Sequence, residues 1–175
     1  DFINDNNNIL PPSDDDPDDF SHGTHCAGIA GATTNNEIGI SSISYNRVTI
    51  MSSKHGERNS EGDIIIRNAY KGINYAILNR ADIISCSWSS DRYSQTNQAL
   101  INTATENGSL IIAAAGNYSS NTKMYPAAYE NVLAVANTQV NDVKNQSSNF
   151  GNWISISAPG TRILSTIADN TLDYY

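Results

Sequence analysis

The chain has 175 residues, of which 39% are apolar and 8% aromatic, as expected for a soluble globular domain with a sizeable core. Its formal net charge of −8 argues against a nucleic-acid partner, because nucleic acids are bound by basic surfaces. No stretch approaches the roughly 18 apolar residues of a membrane span, so we expect no membrane partner. With neither an initiator Met nor a signal peptide at its start, the chain is expected to begin within a longer protein or after processing.

The acidic residues are concentrated near the start of the chain. The acidic residues that precede Arg47, the first Lys or Arg of the chain, are Asp1, Asp5, Asp14, Asp15, Asp16, Asp18, Asp19 and Glu37. Such a stretch most often forms a solvated loop, and the alternative is a cation site, which needs several oxygen ligands. The two cysteines, Cys26 and Cys86, are too few for a disulfide scaffold, and a disulfide between them stays open.

The first part of the chain is predicted to be a loop followed by helices and a strand. Residues 1–20, with runs of Asp and Asn and three prolines, are typical of a loop. Small residues from His22 to about Thr33 favour a tightly packed helix, and residues 48–52 favour a short buried strand. A second helix is predicted to begin at Ser60–Asp63 and to bury one stripe of side chains: Ile66, Ala69, Tyr70, Ile73, Ala76 and Ile77.

The second part alternates between strands and helices. Strands are predicted at 82–87, 110–115 and 131–137, and the apolar run at 110–115 indicates burial on both faces. A helix is predicted at 95–107, with Gly108 as its C-terminal stop. This order is typical of an α/β domain with a parallel sheet.

The most informative segment for function is Ser21-His22-Gly23-Thr24-His25-Cys26-Ala27-Gly28. A His in the first turn of a helix can project its imidazole into a cleft while the helix holds it still. Two His three residues apart also suggest a metal pair, but that pairing normally needs i and i+4 with a Glu between, which is absent. A structural role is the default for a single His, but this flanking string is too particular for it.

The string His22-Gly23-Thr24-His25-Cys26-Ala27-Gly28 resembles the histidine motif of the subtilisin (subtilase) family, in particular its thermitase-like branch. The resemblance implies that His22 is the general base and that His25 is structural. Ala113-Ala114-Ala115-Gly116-Asn117 resembles the oxyanion segment of the family, which implies that Asn117 donates its side-chain amide to the oxyanion.

Other segments resemble the substrate cleft of the same family. Tyr125-Pro126 matches the position of a cis-proline, and Ser147-Ser148-Asn149-Phe150-Gly151 resembles the approach to the catalytic serine. By this resemblance Met124 would close the base of the P1 pocket and favour medium apolar side chains, and the alternative is that Met124 points into the core and leaves the pocket open. The implied substrate-binding residues are Ser87, Trp88, Ser89, Ala115, Gly116 and Met124.

Calcium is the implied cofactor, in a structural role. Residues 35–40 resemble the calcium loop of the family, and the implied ligands are Thr34, Asn36, Ile38 and Ile40. The alternative is a plain Asn-rich turn. Cys26 lies one helical turn after His22, so a free thiol there would make the protein sensitive to mercurials, unless the thiol is buried and inert.

The resemblance covers nearly the whole chain and implies a single subtilisin-like domain over residues 1–175, with three layers and a central parallel sheet. We expect this domain to be incomplete at both ends, because the sequence contains neither the Asp-Thr-Gly strand nor the Gly-Thr-Ser-Met motif of the family. The missing Asp-Thr-Gly strand would leave a gap in the sheet between the strands predicted at 48–52 and 82–87. Either a second copy of the chain fills this gap by self-association, or these two strands pair directly.

The implied function is that of an extracellular serine endopeptidase that cleaves protein or peptide substrates by Ser-His-Asp acyl transfer. The 175-residue chain alone is expected to be inactive, because it lacks the nucleophile. The alternative is a pseudoprotease that acts as a binding module.

Overall fold

The computed structural model describes residues 1–12 and 15–168. The chain divides into two compact units, one of Asp1–Ala69 with the segment from Ile163, and one of Tyr70–Arg162. Within the described ranges, no helix is long and apolar enough to cross a membrane.

The first unit contains the predicted helix with the histidine motif. Helix α1 spans Ser21–Gly31 and follows directly on a 3₁₀ helix at Pro17–Phe20. Asp16 caps the 3₁₀ helix, because its carboxylate accepts a hydrogen bond from the backbone N–H of Asp18 at 3.0 Å. The prediction of a loop over 1–20 is therefore confirmed for residues 1–12 and 15–16 and wrong for this one turn, and residues 13 and 14 lie outside the described residues.

The first unit also contains a hairpin where a helix was predicted to begin. Strands β1 (Gly56–Arg58) and β2 (Ile64–Ile66) pair antiparallel. The prediction of a helix start at Ser60–Asp63 is wrong, because three consecutive Ile residues are β-branched and favour a strand. The side chain of Asn59 accepts hydrogen bonds from the N–H groups of Glu61 and Asp63 and so closes the turn.

The predicted strand at 48–52 is also wrong. The segment lies outside every strand of the described chain, and Val48, Ile50 and Met51 are 47%, 42% and 45% exposed. A short apolar run becomes a strand only when a neighbouring strand satisfies its backbone groups. Among the described residues this segment joins neither sheet, so the strand pairing expected of it is not formed.

The second unit contains a four-stranded parallel sheet. Its strands are β3 (Ile83–Cys86), β4 (Leu110–Ala114), β5 (Val132–Thr138) and β6 (Ile156–Pro159), in that order across the sheet. Three of them confirm predicted strands, and so the parallel α/β class is confirmed. The edge strand β6 was not predicted, because it is short and ends in a proline, which is tolerated at a sheet edge.

Two helices pack against this sheet. Helix α2 spans Ala69–Leu78, and helix α3 spans Gln95–Glu106 and ends before Gly108, whose φ of 87° suits glycine. Both helices join the strands in one core cluster that includes Ile73, Ile77, Ile84, Ile101, Ala104, Ile111, Ala113 and Ala134.

Strand β4 is buried on one face. Ile111 and Ala113 are 0% and 2% exposed, whereas Leu110 is 46% exposed and Ala114 is exposed as well. The predicted burial of this strand on both faces is therefore wrong. Both faces of the strand carry apolar side chains, so the composition of the run does not show which face the helices cover.

Candidate active site

The predicted site residues of the second unit lie at the carboxyl ends of two neighbouring strands. Ser87, Trp88 and Ser89 follow β3, and Ala115, Gly116 and Asn117 follow β4. The two strands are parallel and in register from Ile83 opposite Leu110 to Cys86 opposite Ala113, so both segments leave the same edge of the sheet. This edge is where open α/β sheets bind their ligands.

A cleft of about 540 Å³ lies within the second unit. It contains two of the six predicted substrate-binding residues, Ser89 and Met124, and Met124 is only 6% exposed. The residues that line it are Ser89, Ser90, Asp91, Tyr118, Ser120, Thr122, Met124 and Asn149. A buried thioether, several hydroxyl groups and one carboxylate give this cleft both apolar and polar contacts for a ligand.

Backbone hydrogen bonds connect two walls of the cleft. Ser90 and Tyr125 donate to each other's carbonyl oxygens at 2.8 and 2.7 Å. The peptide bond between Tyr125 and Pro126 is cis, as the resemblance implied. These bonds fix Met124 relative to the segment that follows β3.

The other predicted substrate-binding residues lie around the cleft and do not line it. Trp88 packs edge-on against Tyr70, with ring centroids 5.1 Å apart, at the margin of the core. Ala115 is 1% exposed. A Cβ atom at Gly116 would lie 3.2 Å from Cγ of Met124, so Gly116 borders the residue that closes the cleft.

Asn149 organises the segment that presents Asn117. Its side chain, which is fully buried, donates to the carbonyl of Ala115 at 3.0 Å and accepts from the N–H groups of Tyr118 at 2.9 Å and Ser120 at 3.3 Å. Gly116 has a φ of 101°, and a Cβ atom there would lie 2.8 Å from the amide nitrogen of Asn149. Asn117 therefore sits, exposed, in a loop whose flanks are held by one buried amide.

Sequence reasoning missed this role of Asn149. The residue was recognised only as part of the string Ser147–Gly151, which is polar and typical of an exposed loop. No local signal could have found it, because the role depends on contacts with residues 31, 29 and 34 places away in the chain.

His22 lies in the first turn of α1, in the first unit, and is exposed. Its imidazole and the Cys26 thiol, one turn later, are hydrogen-bonded, and this contact raises the pKa of His22 above its ordinary value. Partial burial acts in the opposite direction and is the weaker effect.

Both cysteines are free thiols in the structure, so the disulfide that the sequence left open is not formed. Burial raises the pKa of Cys86 to about 12, which keeps this thiol protonated and unreactive at neutral pH. Cys26 is half-buried beside His22, and its sensitivity to mercurials stays a prediction.

The second motif histidine holds another segment of the first unit. The Nε2 atom of His25 lies 3.0 Å from the carbonyl oxygen of Ile163, and Ser165 donates to the carbonyl of His25 at 2.6 Å. Thr166 donates to the carbonyl of Thr24 at 2.9 Å. A Cβ atom at Gly28 would lie 2.3 Å from the Thr166 hydroxyl, so this glycine permits the close approach.

The predicted calcium loop has oxygen donors of the right type. The backbone of Thr34 is hydrogen-bonded through both N–H and C=O to the Asn46 side chain, at 2.8 and 3.1 Å, and the side-chain oxygen Oδ1 of Asn36 accepts from the Ile38 N–H at 3.2 Å. The Thr34 hydroxyl is buried without a partner. No group of three or more His, Cys, Asp or Glu suited to a metal ion occurs in the described part of the chain.

The family model for the subtilase family matches residues 1–175, and the chain belongs to this family. The thermophilic serine proteinase of Bacillus sp. (strain AK1) is 39% identical over 163 residues, which cover 93% of this chain and 40% of that protein. Thermitase of Thermoactinomyces vulgaris is 38% identical over 151 residues, which cover 86% of this chain and 53% of that enzyme.

A solved structure confirms the subtilisin-like fold. The psychrophilic subtilisin-like protease Apa1 from the Antarctic psychrotroph Pseudoalteromonas sp. AS-11 matches with a TM-score of 0.72 at 31% identity, over 85% of this chain and 34% of that chain. Two further bacterial relatives are named as extracellular proteases. The chain thus spans about half or less of the length of these first relatives.

The role of Asn149 is tested by Asn149→Ala. The carbonyl of Ala115 and two N–H groups lose their partner, so we expect the free energy of unfolding to fall by at least about 2 kcal/mol. The control is Asn121→Ala at an exposed position of the same loop region, with an expected change within about 0.5 kcal/mol. Denaturant titration of the full-length protein measures both, and equal stabilities of the two variants would contradict this role.

The contact between His22 and Cys26 is tested by Cys26→Ala. Because the thiol is the main cause of the raised pKa, its removal should lower the pKa of His22. An NMR titration of the His22 imidazole measures the shift. Cys86→Ala, which removes a thiol buried in the core of the second unit, should leave this pKa unchanged. A His22 pKa that stays the same or rises in Cys26→Ala would refute the assignment.

Proposed function

We propose that this chain is the part of a serine endopeptidase domain that supplies the general base and the side-chain oxyanion donor. The main structural support is that Gly116 and Asn117 follow the end of β4, beside a cleft at the carboxyl end of the sheet. Membership of the subtilase family supports this function. Nothing in the structure or in the relatives favours the alternative of a binding module without activity.

The proposed reaction is acyl transfer. A serine supplied from outside residues 1–175 attacks the peptide carbonyl, while His22 takes its proton and then passes it to the leaving amine. An aspartate, also from outside these residues, orients His22. Water then attacks the acyl-enzyme and gives its proton to His22, which passes it to the serine oxygen as the acyl bond breaks and the acid product leaves. The Asn117 amide donates to the oxyanion that forms in both steps.

The proposed substrates are proteins or peptides with a medium apolar side chain at P1. Met124 and Asn149 are the two buried residues that line the cleft, and the thioether of Met124 offers no partner for a charged group that loses its hydration there. Asp91 lines the same cleft, so a peptide with Lys at P1 is the informative competitor for one with Leu.

Asn117→Ala tests the proposed function in the full-length protein. With a Leu-P1 peptide, kcat should fall by about 10²–10³-fold. This magnitude is the loss known for subtilisin when the same donor is removed. KM should change little, because the hydrogen bond strengthens mainly in the transition state. The control is Asn121→Ala, which should cleave at the wild-type rate. A wild-type protein that cleaves no peptide would end the proposal, and an unchanged kcat in Asn117→Ala would remove Asn117 from it.

Calcium is proposed as a structural ion held by Thr34, Asn36, Ile38 and Ile40. Three backbone carbonyls and one side-chain amide suit this cation, and the partnerless Thr34 hydroxyl lies at the start of the same loop. When bound, the ion would stabilise the loop without taking part in the reaction.

Asn36→Ala provides the test of this loop. Calcium should raise the melting temperature of the full-length wild-type protein, because it binds only the folded state, and the rise should shrink in the variant. Asn35→Gly, at a neighbouring position with a φ of 60°, keeps the four proposed ligands and should keep the calcium effect. An equal rise in wild type and Asn36→Ala would place the ion elsewhere.

An extracellular location and self-association are also proposed. The names of two bacterial relatives support an extracellular location. Self-association of the 175-residue chain stays a prediction, and its support is the edge position of β3, which has no partner on its outer side in the described residues.

A further inference from the structure

The start of helix α1 is not held by a cap of its own. Its N-cap residue is Phe20, with φ −108° and ψ 8°, and no side chain of the cap accepts a hydrogen bond from the first turn. The first N–H groups of a helix are normally fixed by such a cap. Because His22 is the second residue of α1, the position of its imidazole depends on what holds the chain just before it.

Arg58 holds that preceding segment from strand β1. Its Nε donates to Asp15 at 2.7 Å and its Nη2 donates to Asp19 at 2.5 Å, so one guanidinium bridges two carboxylates that lie on either side of Asp16 and Pro17. The remaining nitrogen, Nη1, donates to the carbonyl of Gly62 in the turn of the hairpin at 2.7 Å. All three nitrogens of the guanidinium are thus in use, which fixes its plane.

An apolar contact from the same strand reinforces this bridge. A Cβ atom at Gly56 would lie 3.7 Å from the ring of Phe20, so the ring lies over the glycine. Asp19 and Phe20 come three and two residues before His22. The hairpin therefore contacts the chain by charge at Asp15 and Asp19 and by packing at Phe20, directly before α1 begins.

We propose that Arg58 is a positioning residue for His22. The inference rests on the proposed function, in which His22 is the general base. The Arg58 guanidinium donates to Asp15, Asp19 and Gly62, so its effect on His22 is indirect. It acts through the 3₁₀ helix at Pro17–Phe20, which it ties to β1 and which continues without a break into α1. A general base must stay within hydrogen-bond reach of the proton that it takes, so a loosened first turn lowers the rate of the chemical step.

The sequence provides a matched control on the same hairpin. The Arg67 guanidinium forms an ion pair with Glu57, the residue next to Arg58 in β1, and within the described residues neither of the two is paired with the segment before α1. Arg67→Gln removes the same charge from the same hairpin as Arg58→Gln. Arg58→Lys keeps the charge but not the planar fork that reaches three acceptors.

The experiment compares these three variants with the wild type in the full-length protein. Amide hydrogen exchange at residues 20–24 and steady-state cleavage of a Leu-P1 peptide are measured for each. In Arg58→Gln we expect exchange to accelerate roughly tenfold and kcat to fall roughly tenfold, with KM within about twofold of wild type. Arg58→Lys should be intermediate, and Arg67→Gln should match the wild type in all three quantities.

The outcomes separate this inference from the proposed function. Faster exchange with an unchanged kcat, or equal losses in Arg58→Gln and Arg67→Gln, would overturn the positioning role. If Arg58→Gln fails to fold, the milder Arg58→Lys decides by the same two readouts. A wild-type protein without peptidase activity would overturn the proposed function, and the exchange at residues 20–24 would still show whether Arg58 holds the start of α1.

Discussion

The buried amide of Asn149 is the contact on which the arrangement of the second unit's site depends. It holds the segment after β4 from both sides, through Ala115 before Gly116 and through Tyr118 and Ser120 after Asn117. The backbone N–H of Asn149 adds a bond to the carbonyl of Gly116 at 3.0 Å. A loop at the end of a strand would otherwise leave these polar groups to water, and its geometry would then vary.

This constraint explains why a glycine precedes Asn117. The amide nitrogen of Asn149 occupies the space that a side chain at position 116 would need, and the backbone there has a positive φ. Only glycine combines that conformation with the close approach of the amide. The proposed oxyanion donor thus owes its position to a residue 32 places later in the chain, in the manner in which supporting residues fix a reactive group in other sites.

The same principle applies to His22 in the first unit. The imidazole is exposed. The chain before it is fixed by the hydrogen bonds of Arg58 and by the packing of Phe20. The helix after it is held by the hydroxyl groups of Ser165 and Thr166. Ser21, directly before His22, accepts a hydrogen bond from the N–H of Ala168 at 2.9 Å. Groups that must meet a substrate cannot be buried, so neighbours that are distant in sequence supply their rigidity.

This explains how much of the structure the sequence predicts. The helix at α1 and the strands β3, β4 and β5 follow from local composition and period, and all were predicted. The hairpin β1–β2 was not, because the helical spacing of residues such as Ile66 and Tyr70 competed with the strand preference of three successive Ile residues. Asn149 and Arg58 were missed for another reason, since their roles are defined by contacts across tens of residues and leave no local pattern.

The acidic start of the chain shows the same limit for charge. From sequence alone it is either a solvated loop or a cation site, because its countercharge does not appear nearby. In the folded unit, basic side chains supply the positive charge. Arg58 pairs with Asp15 and Asp19. Lys54 lies 3.8 Å from Asp1 and donates to the carbonyl of Leu10 at 2.7 Å. A guanidinium can bridge two carboxylates at the positions where a metal ion would otherwise balance them, and it does so with fixed directions. These three carboxylates are therefore placed by basic residues of one later segment, 54–58, which also contributes a strand to the hairpin. The pairing of Arg58 with Asp15 and Asp19 therefore both balances negative charge and positions the chain before His22.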